Sequence, residues 1–237
     1  MPMQLDGPGL APLSGGKTAY LVVLLHGVAA NGNDLLYLAR ACPRLPALAR
    51  AWRKILPEAE FIAPNAPFPS DYAPEARQWF SLADRAPEKL LAGLREAGEL
   101  LDRFFDELLA SRQLGDASLA LAGFSQGAAT ALYAGLRRRT QIAGIVAFSG
   151  ALPGVEGLQR DFRSKPPVLL VHGAADDVVP FQSLANAKAA LEAASVPVTA
   201  VARPGLGHAI DDAGIALAGD FLRGVLKASQ GDTGRAV

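Results

Sequence analysis

The chain carries a single cysteine, Cys42, in 237 residues. It can form no disulfide within itself, and no neighbouring His or Cys offers a metal site beside Cys42. Long hydrophobic runs are also missing, since none approaches the roughly 18 apolar residues of a membrane span. An excess of charge of either sign is missing too. The formal net charge is zero and charged residues make up 19% of the chain, so neither nucleic acid nor an anionic membrane surface is an expected partner. The densest basic run, Arg137-Arg138-Arg139, reads as a solvated helix end. The first residues, Met1 to Lys17, lack the basic start and continuous apolar stretch of a signal peptide. These absences lead to the expectation of a soluble protein in a reducing, cytoplasmic compartment, with no internal repeat.

Half of the residues are hydrophobic, and the length suits one α/β domain with a sizeable core. Residues 1–17, rich in Gly and Pro, read as a loose arm. Residues 18–227 read as a single domain, and 228–237 as a polar tail. The run Ala19–Leu25 (AYLVVLL) is continuously apolar and bounded by turn residues, as in a strand buried on both faces of a parallel sheet. Further strands are predicted over 60–63, 118–122, 142–148, 167–171 and 197–202. Helices are predicted from Leu35 with Asp34 as cap, along the stripe Leu90, Leu94, Ala97, Leu101, Phe104 and Leu108, and over 180–194 and 210–226. Strands alternating with helices throughout predict a mainly parallel sheet with helices on both faces. The irregular stretch 64–87, with Phe68, Tyr72, Trp79 and Phe80, is long enough to suggest function.

The stretch Leu119–Leu132 holds the strongest signal. An apolar strand runs into Gly123-Phe124-Ser125-Gln126-Gly127, and an Ala-rich helix follows at once. G-x-S-x-G between strand and helix is the pattern of a nucleophile elbow, which presents the serine above the sheet at an electropositive helix end. In a chain with 24 glycines the pattern alone is only suggestive. A serine needs a base, and the base needs a carboxylate that fixes its tautomer. In this type of fold the order along the chain is Ser, acid, His. His172 and His208 both lie after the elbow with acids between; His208 alone stands in a flexible turn, Gly205-Leu206-Gly207-His208, rather than at a strand end. Asp176 and Asp177 both qualify as that acid, and Asp177 also suits the cap of the next helix. His26 and His172, each at a strand end before Gly, read as orienting residues rather than bases. A developing oxyanion needs two N–H donors; the candidates are the amides of Gln126, after the nucleophile, and Val28, after the first strand.

With those residues in view, the chain resembles the phospholipase/carboxylesterase family of α/β hydrolases, which includes acyl-protein thioesterases and small bacterial carboxylesterases. The matching stretches are LLHGVAANGND (24–34), APNAP (63–67), RQWF (77–80), GFSQGAA (123–129), FSG (148–150), HGAADDVVP (172–180) and GLGH (205–208). The resemblance implies an α/β-hydrolase fold, and no insertion between Ile142 and Pro167 is long enough for a large lid domain. It places Ser125, Asp176 and His208 as the triad, favouring Asp176 over Asp177, and the amides of Val28 and Gln126 at the oxyanion. It implies hydrolysis of carboxylic esters or thioesters with no metal and no cofactor, on small-molecule or lipid-like esters. Trp79 and Val178 take positions that would line an acyl groove, although Trp79 reads equally well as loop core. Ala29 departs from the family's usual Gly; if the position needs positive φ, alanine strains the loop. The expected function is a serine carboxylesterase for short to medium acyl chains. Acyl-protein thioesterase, lysophospholipase and a non-catalytic binding protein are the rival readings, and a homodimer is left open.

Overall fold

The structure is a computed structural model that describes residues 5–39, 52–152 and 159–231, without the side chains of 159, 230 and 231. Cys42, Pro43 and Pro46 lie outside the described residues. Among the described residues there are nine strands: β1 (Gly9–Leu10), β2 (Tyr20–Leu25), β3 (Ala59–Ile62), β4 (Phe68–Pro69), β5 (Arg77–Gln78), β6 (Leu119–Phe124), β7 (Gly144–Phe148), β8 (Val168–Gly173) and β9 (Val198–Arg203). The described helices are α1 (Trp52–Ile55), α2 (Pro87–Arg112), α3 (Gln126–Arg137), α4 (Gln182–Ala193) and α5 (Asp212–Gly231).

Seven strands form one sheet in the order β1-β3-β2-β6-β7-β8-β9, parallel except for β1, while β4 and β5 form a separate antiparallel pair. Alternate residues of each strand feed opposite faces. Leu21, Val23 and Leu25 of β2 join Leu121, Ile145 and Leu170 beneath α2, α3 and α4. Tyr20, Val22 and Leu24 join Ala120, Val146 and Leu169 on the other face, against Trp52 of α1 and Ile215, Ala218 and Leu222 of α5. The continuous apolar runs thus reflect burial on both sides. Trp52 fastens the second face, its indole N–H donating to Ile215 O at 2.8 Å.

The parallel register matters for function. Leu25 lies opposite Gly123, Phe124 opposite Phe148, and Gly173 opposite Arg203. The residues that follow these strands therefore emerge along one edge of the sheet, where open α/β sheets hold their ligands. The connection between β7 and β8 is short, and no large lid domain is inserted there.

Several details differ from expectation. The arm is not loose from Leu5 to Leu10. Leu5 is buried, β1 pairs antiparallel with β3, and Asn65 N–H donates to Asp6 O at 2.7 Å. A two-residue strand is too short to show a period in the sequence. The segment after β2 is a 3-10 helix, Gly32–Leu38, capped by Asn31 rather than Asp34. Asp34 instead accepts the Asn31 N–H at 2.8 Å, closing a capping box. On α2 the core positions are Leu94, Leu101, Phe105 and Leu109, with Phe104 and Leu108 only partly buried. The alternating three-four spacing averages 3.5 residues per turn and drifts off a 3.6-residue helix over this length. Helix α5 runs through Gly231 into the expected tail.

Candidate active site

The elbow is built by close approach. A Cβ on Gly123 would collide with the Gly127 carbonyl, and one on Gly127 would collide with the carbonyls of Leu25 and His26. Only glycine lets the strand, the turn and α3 pass so near one another. Ser125 sits between them at φ 55° and ψ −118°, with its N–H donating to Phe148 O at 2.9 Å. Such backbone costs on the order of 1–3 kcal/mol, and the surrounding packing must hold it. Helix α3 begins at the next residue and carries no acidic side chain in its first turn. Its positive end is therefore left free to face Ser125.

A line of hydrogen bonds leads from Ser125 into the protein. Ser125 Oγ is 3.0 Å from His208 Nε2, and His208 Nδ1 is 2.8 Å from Asp176 Oδ2. Asp176 comes from the turn after β8 and His208 from the turn after β9, with Phe124 tilted against the His208 ring at 4.8 Å. Asp176 Oδ1 accepts the N–H groups of Val178 at 3.0 Å and Val179 at 2.8 Å. Burial works against the charge on Asp176, but the bonds from His208, Val179 and Val178 outweigh it and hold the carboxyl below its usual range. An ionised carboxylate on Nδ1 fixes the proton there and leaves Nε2 to accept from the serine hydroxyl. Of the two adjacent aspartates, the hydrogen bond to His208 is made by Asp176; Asp177 is exposed.

The other two histidines are buried supports. His172 Nε2 is 3.0 Å from Val179 O and 3.2 Å from Asp176 Oδ2. His26 Nε2 accepts Ala66 N–H at 3.0 Å, and its Nδ1 is 2.7 Å from Gly27 O. Since a carbonyl only accepts, Nδ1 carries the proton and the ring is neutral. Burial agrees, pushing the His26 pKa down against the opposing Gly27 and Asp34 contributions.

The loop after β2 runs alongside the serine. A Cβ on Gly27 would sit 3.5 Å from Ser125 Cβ. Val28 follows, and among the described residues neither the Val28 N–H nor the Gln126 N–H has an acceptor. Ala29 has φ 57°, the left-handed region that glycine tolerates and alanine resists. The Gln126 side chain has a task the sequence did not suggest. Its Oε1 accepts Trp79 N–H at 2.8 Å, and its Nε2 donates to Phe80 O at 2.7 Å. Helix α3 is thereby stitched to the 64–87 segment.

Trp79 requires a correction. It is fully buried, its indole N–H donates to His26 O at 2.8 Å, and its ring lies 5.5 Å from that of His26. It braces the loop from behind and lines no groove. Val178, in contrast, is 64% exposed and does line the cleft at Ser125. This cleft, of about 480 Å³, is lined by Val28, Ser125, Gln126 and Ala129 together with Leu82, Leu90 and Val178. Tyr72, Phe80, Arg85, Ala151, Val179 and Pro180 complete it. Leu82 and Arg85 carried no local signal.

A hydroxyl aligned on an imidazole nitrogen, with two free amides beside it and an apolar cleft in front, suits attack on an acyl carbon. Among the described residues no cluster of three His, Cys, Asp or Glu could hold a metal ion, and no helix is long and apolar enough to cross a membrane.

The parallel sheet, its two helical layers and the Ser–His–Asp arrangement at its carboxyl edge define an α/β hydrolase. A family model for Phospholipase/Carboxylesterase matches residues 13–226, and the chain belongs to that family. It is a hydrolase of the carboxylesterase and acyl-protein thioesterase group. Acyl-protein thioesterase 1 of Neurospora crassa is 26% identical over 215 residues, covering 85% of this chain and 84% of that protein. The crystal structure of esterase PE8 superposes with a TM-score of 0.84 at 39% identity, covering 94% of this chain and 100% of that one. Acyl-protein thioesterase 2 of Zea mays, 24% identical with a TM-score of 0.68 over 93% of this chain and 99% of that one, shares the fold.

Proposed function

We propose that the protein is a serine carboxylesterase for short to medium acyl chains, with Ser125 as nucleophile, His208 as base and Asp176 as the orienting acid. The observation that carries this reading is the unbroken Ser125–His208–Asp176 hydrogen-bond line. Ser125 Oγ forms a bond to the acyl carbon while its proton passes to His208 Nε2. The charge on the carbonyl oxygen is taken by the amides of Val28 and Gln126. Collapse breaks the ester C–O bond, His208 returns the proton to the leaving alcohol, and an acyl-serine remains. Water then attacks by the same route and releases the acid.

Thioesters pass through the same steps, and the named thioesterase relatives support that reading as the second one. The higher identity to an esterase favours esters. Hydrolysis of p-nitrophenyl acetate, butyrate, hexanoate and decanoate, by this protein and by Ser125→Ala, tests the proposal. Turnover should rise from acetate and then fade as the cleft fills, since each buried CH₂ contributes up to about 0.8 kcal/mol only while apolar wall remains. Near-normal turnover by Ser125→Ala would end the proposal.

A further inference from the structure

Among the described residues, the lining of the cleft at Ser125 carries one permanent charge. Of the described residues that line it, Arg85 alone is ionised, and none is a carboxylate. Guanidinium groups elsewhere in the fold are commonly paired with acids, as in Arg112 with Glu60, Arg138 with Asp116 and Arg203 with Asp211. Arg85 instead donates to a neutral group, the hydroxyl oxygen of Tyr72, at 3.3 Å. The acids nearest to these two residues in sequence are turned to other work. Asp71 accepts from Gln78, Ser81 and the Leu82 N–H, and Asp84 accepts the Ala86 N–H. An anion entering the cleft would therefore meet an uncompensated guanidinium fork. It would also meet a phenol whose own proton is free to donate, because its oxygen already accepts from Arg85.

The cleft also has a direction. It includes Ser125 and both candidate oxyanion residues, Val28 and Gln126, but not His208. The leaving alcohol must lie by His208, which returns its proton. The cleft is thus the place of the acyl chain, and Leu82, Leu90 and Val178 give that chain apolar walls.

We propose that Arg85 and Tyr72 form an anion subsite in the acyl cleft, selecting acyl groups whose far end carries a carboxylate, the half-esters of dicarboxylic acids. This rests on the esterase reading above and adds the substrate class. Apolar walls with a cation in the same cleft suit such a chain: methylenes against Leu82 and Leu90, carboxylate on the guanidinium. A planar fork matches a carboxylate in two parallel hydrogen bonds, which an ammonium cannot reproduce.

The test compares kcat/KM for mono-4-nitrophenyl adipate and suberate with the hexanoate and octanoate, in this protein, Arg85→Gln and Arg85→Lys. The expected result is a preference for the half-esters, seen mainly in KM, that falls about tenfold or more in Arg85→Gln. It should be only partly kept in Arg85→Lys and should shrink in 0.5 M NaCl. A 4-carboxyphenyl hexanoate, with the anion on the alcohol side, should gain nothing over phenyl hexanoate. A ratio of half-ester to neutral ester that Arg85→Gln leaves unchanged would overturn the subsite, as would an equal gain from the alcohol-side anion. The hexanoate separates the two claims: if this protein hydrolyses it and Ser125→Ala does not, the esterase reading stands whatever the half-esters do.

Discussion

His172 Nε2 and Asp176 Oδ2 stand 3.2 Å apart, on the same carboxylate oxygen that His208 Nδ1 meets at 2.8 Å. With the amides of Val178 and Val179 on Oδ1, the buried acid is held from four directions. His172 is therefore a positioning residue for Asp176. His172→Phe should lower kcat by roughly tenfold with little change in KM, because it removes the ring nitrogen that stands 3.2 Å from the buried acid and meets Val179 O at 3.0 Å. Asp176→Asn should cost far more, up to about 10⁴-fold because the imidazole is then held in the wrong tautomer, and Asp177→Asn little. Steady-state kinetics of the three variants decide this. A larger loss from Asp177→Asn than from Asp176→Asn would reassign the acid.

Trp79 and Leu82 should separate stability from selectivity. Trp79→Ala removes a fully buried ring bonded to His26 O, so thermal unfolding should show a loss of about 3–5 kcal/mol. Leu82→Ala trims the cleft wall and should lower the hexanoate-to-acetate ratio of kcat/KM, with stability nearly kept. A stable Trp79→Ala protein with altered chain-length preference would restore Trp79 to the groove.

Much of this is legible in the sequence, and the reasons are physical. The strands lie buried on both faces, so β2, β6, β7 and β8 appear as unbroken apolar runs. The order Ser125, Asp176, His208 follows from one residue per post-strand turn, and the structure brings these three together. The direction of Trp79 was not legible, because an aromatic residue in an irregular segment has no period to say which side it faces. The link from Gln126 to Trp79 and Phe80 spans more than forty residues and depends on two loops meeting. Ala29 was legible as a departure, and its φ of 57° shows the cost of it.

That cost leads to a prediction. Ala29→Gly should relieve about 1 kcal/mol of left-handed strain, offset in part by the greater freedom glycine gives the unfolded chain. The net expectation is a small gain in Tm with kcat unchanged or raised, because the neighbouring Val28 amide is then held without strain. A clear fall in Tm would mean that the loop, rather than residue 29, sets this backbone.

Stability should depend on pH in two stages. His26 is held neutral, its pKa lowered by burial, so the unfolded chain takes up a proton that the fold refuses. Its contribution is complete above about pH 6.5 and is lost as pH falls toward the depressed folded value. Asp176 has a lowered pKa despite its burial, and Glu60 is lowered chiefly by its bond from Arg112. Their contributions persist above the ordinary carboxylate range and are lost as pH falls below about 4. Urea unfolding from pH 8 to 3 should show a decline beginning near pH 6.5 and steepening below 4. Stability that stays flat down to pH 4.5 would contradict the buried neutral state of His26.

The central claim is that Ser125 becomes acylated. The most direct measurement is the intact mass and peptide map after treatment with a fluorophosphonate, with ester hydrolysis followed in the same samples. The account predicts one adduct, on the peptide containing Ser125, forming in step with loss of activity. It also predicts no adduct on Ser125→Ala, whose turnover should be lower by about 10³-fold or more. An adduct on another residue, or full inhibition with Ser125 unmodified, would contradict it.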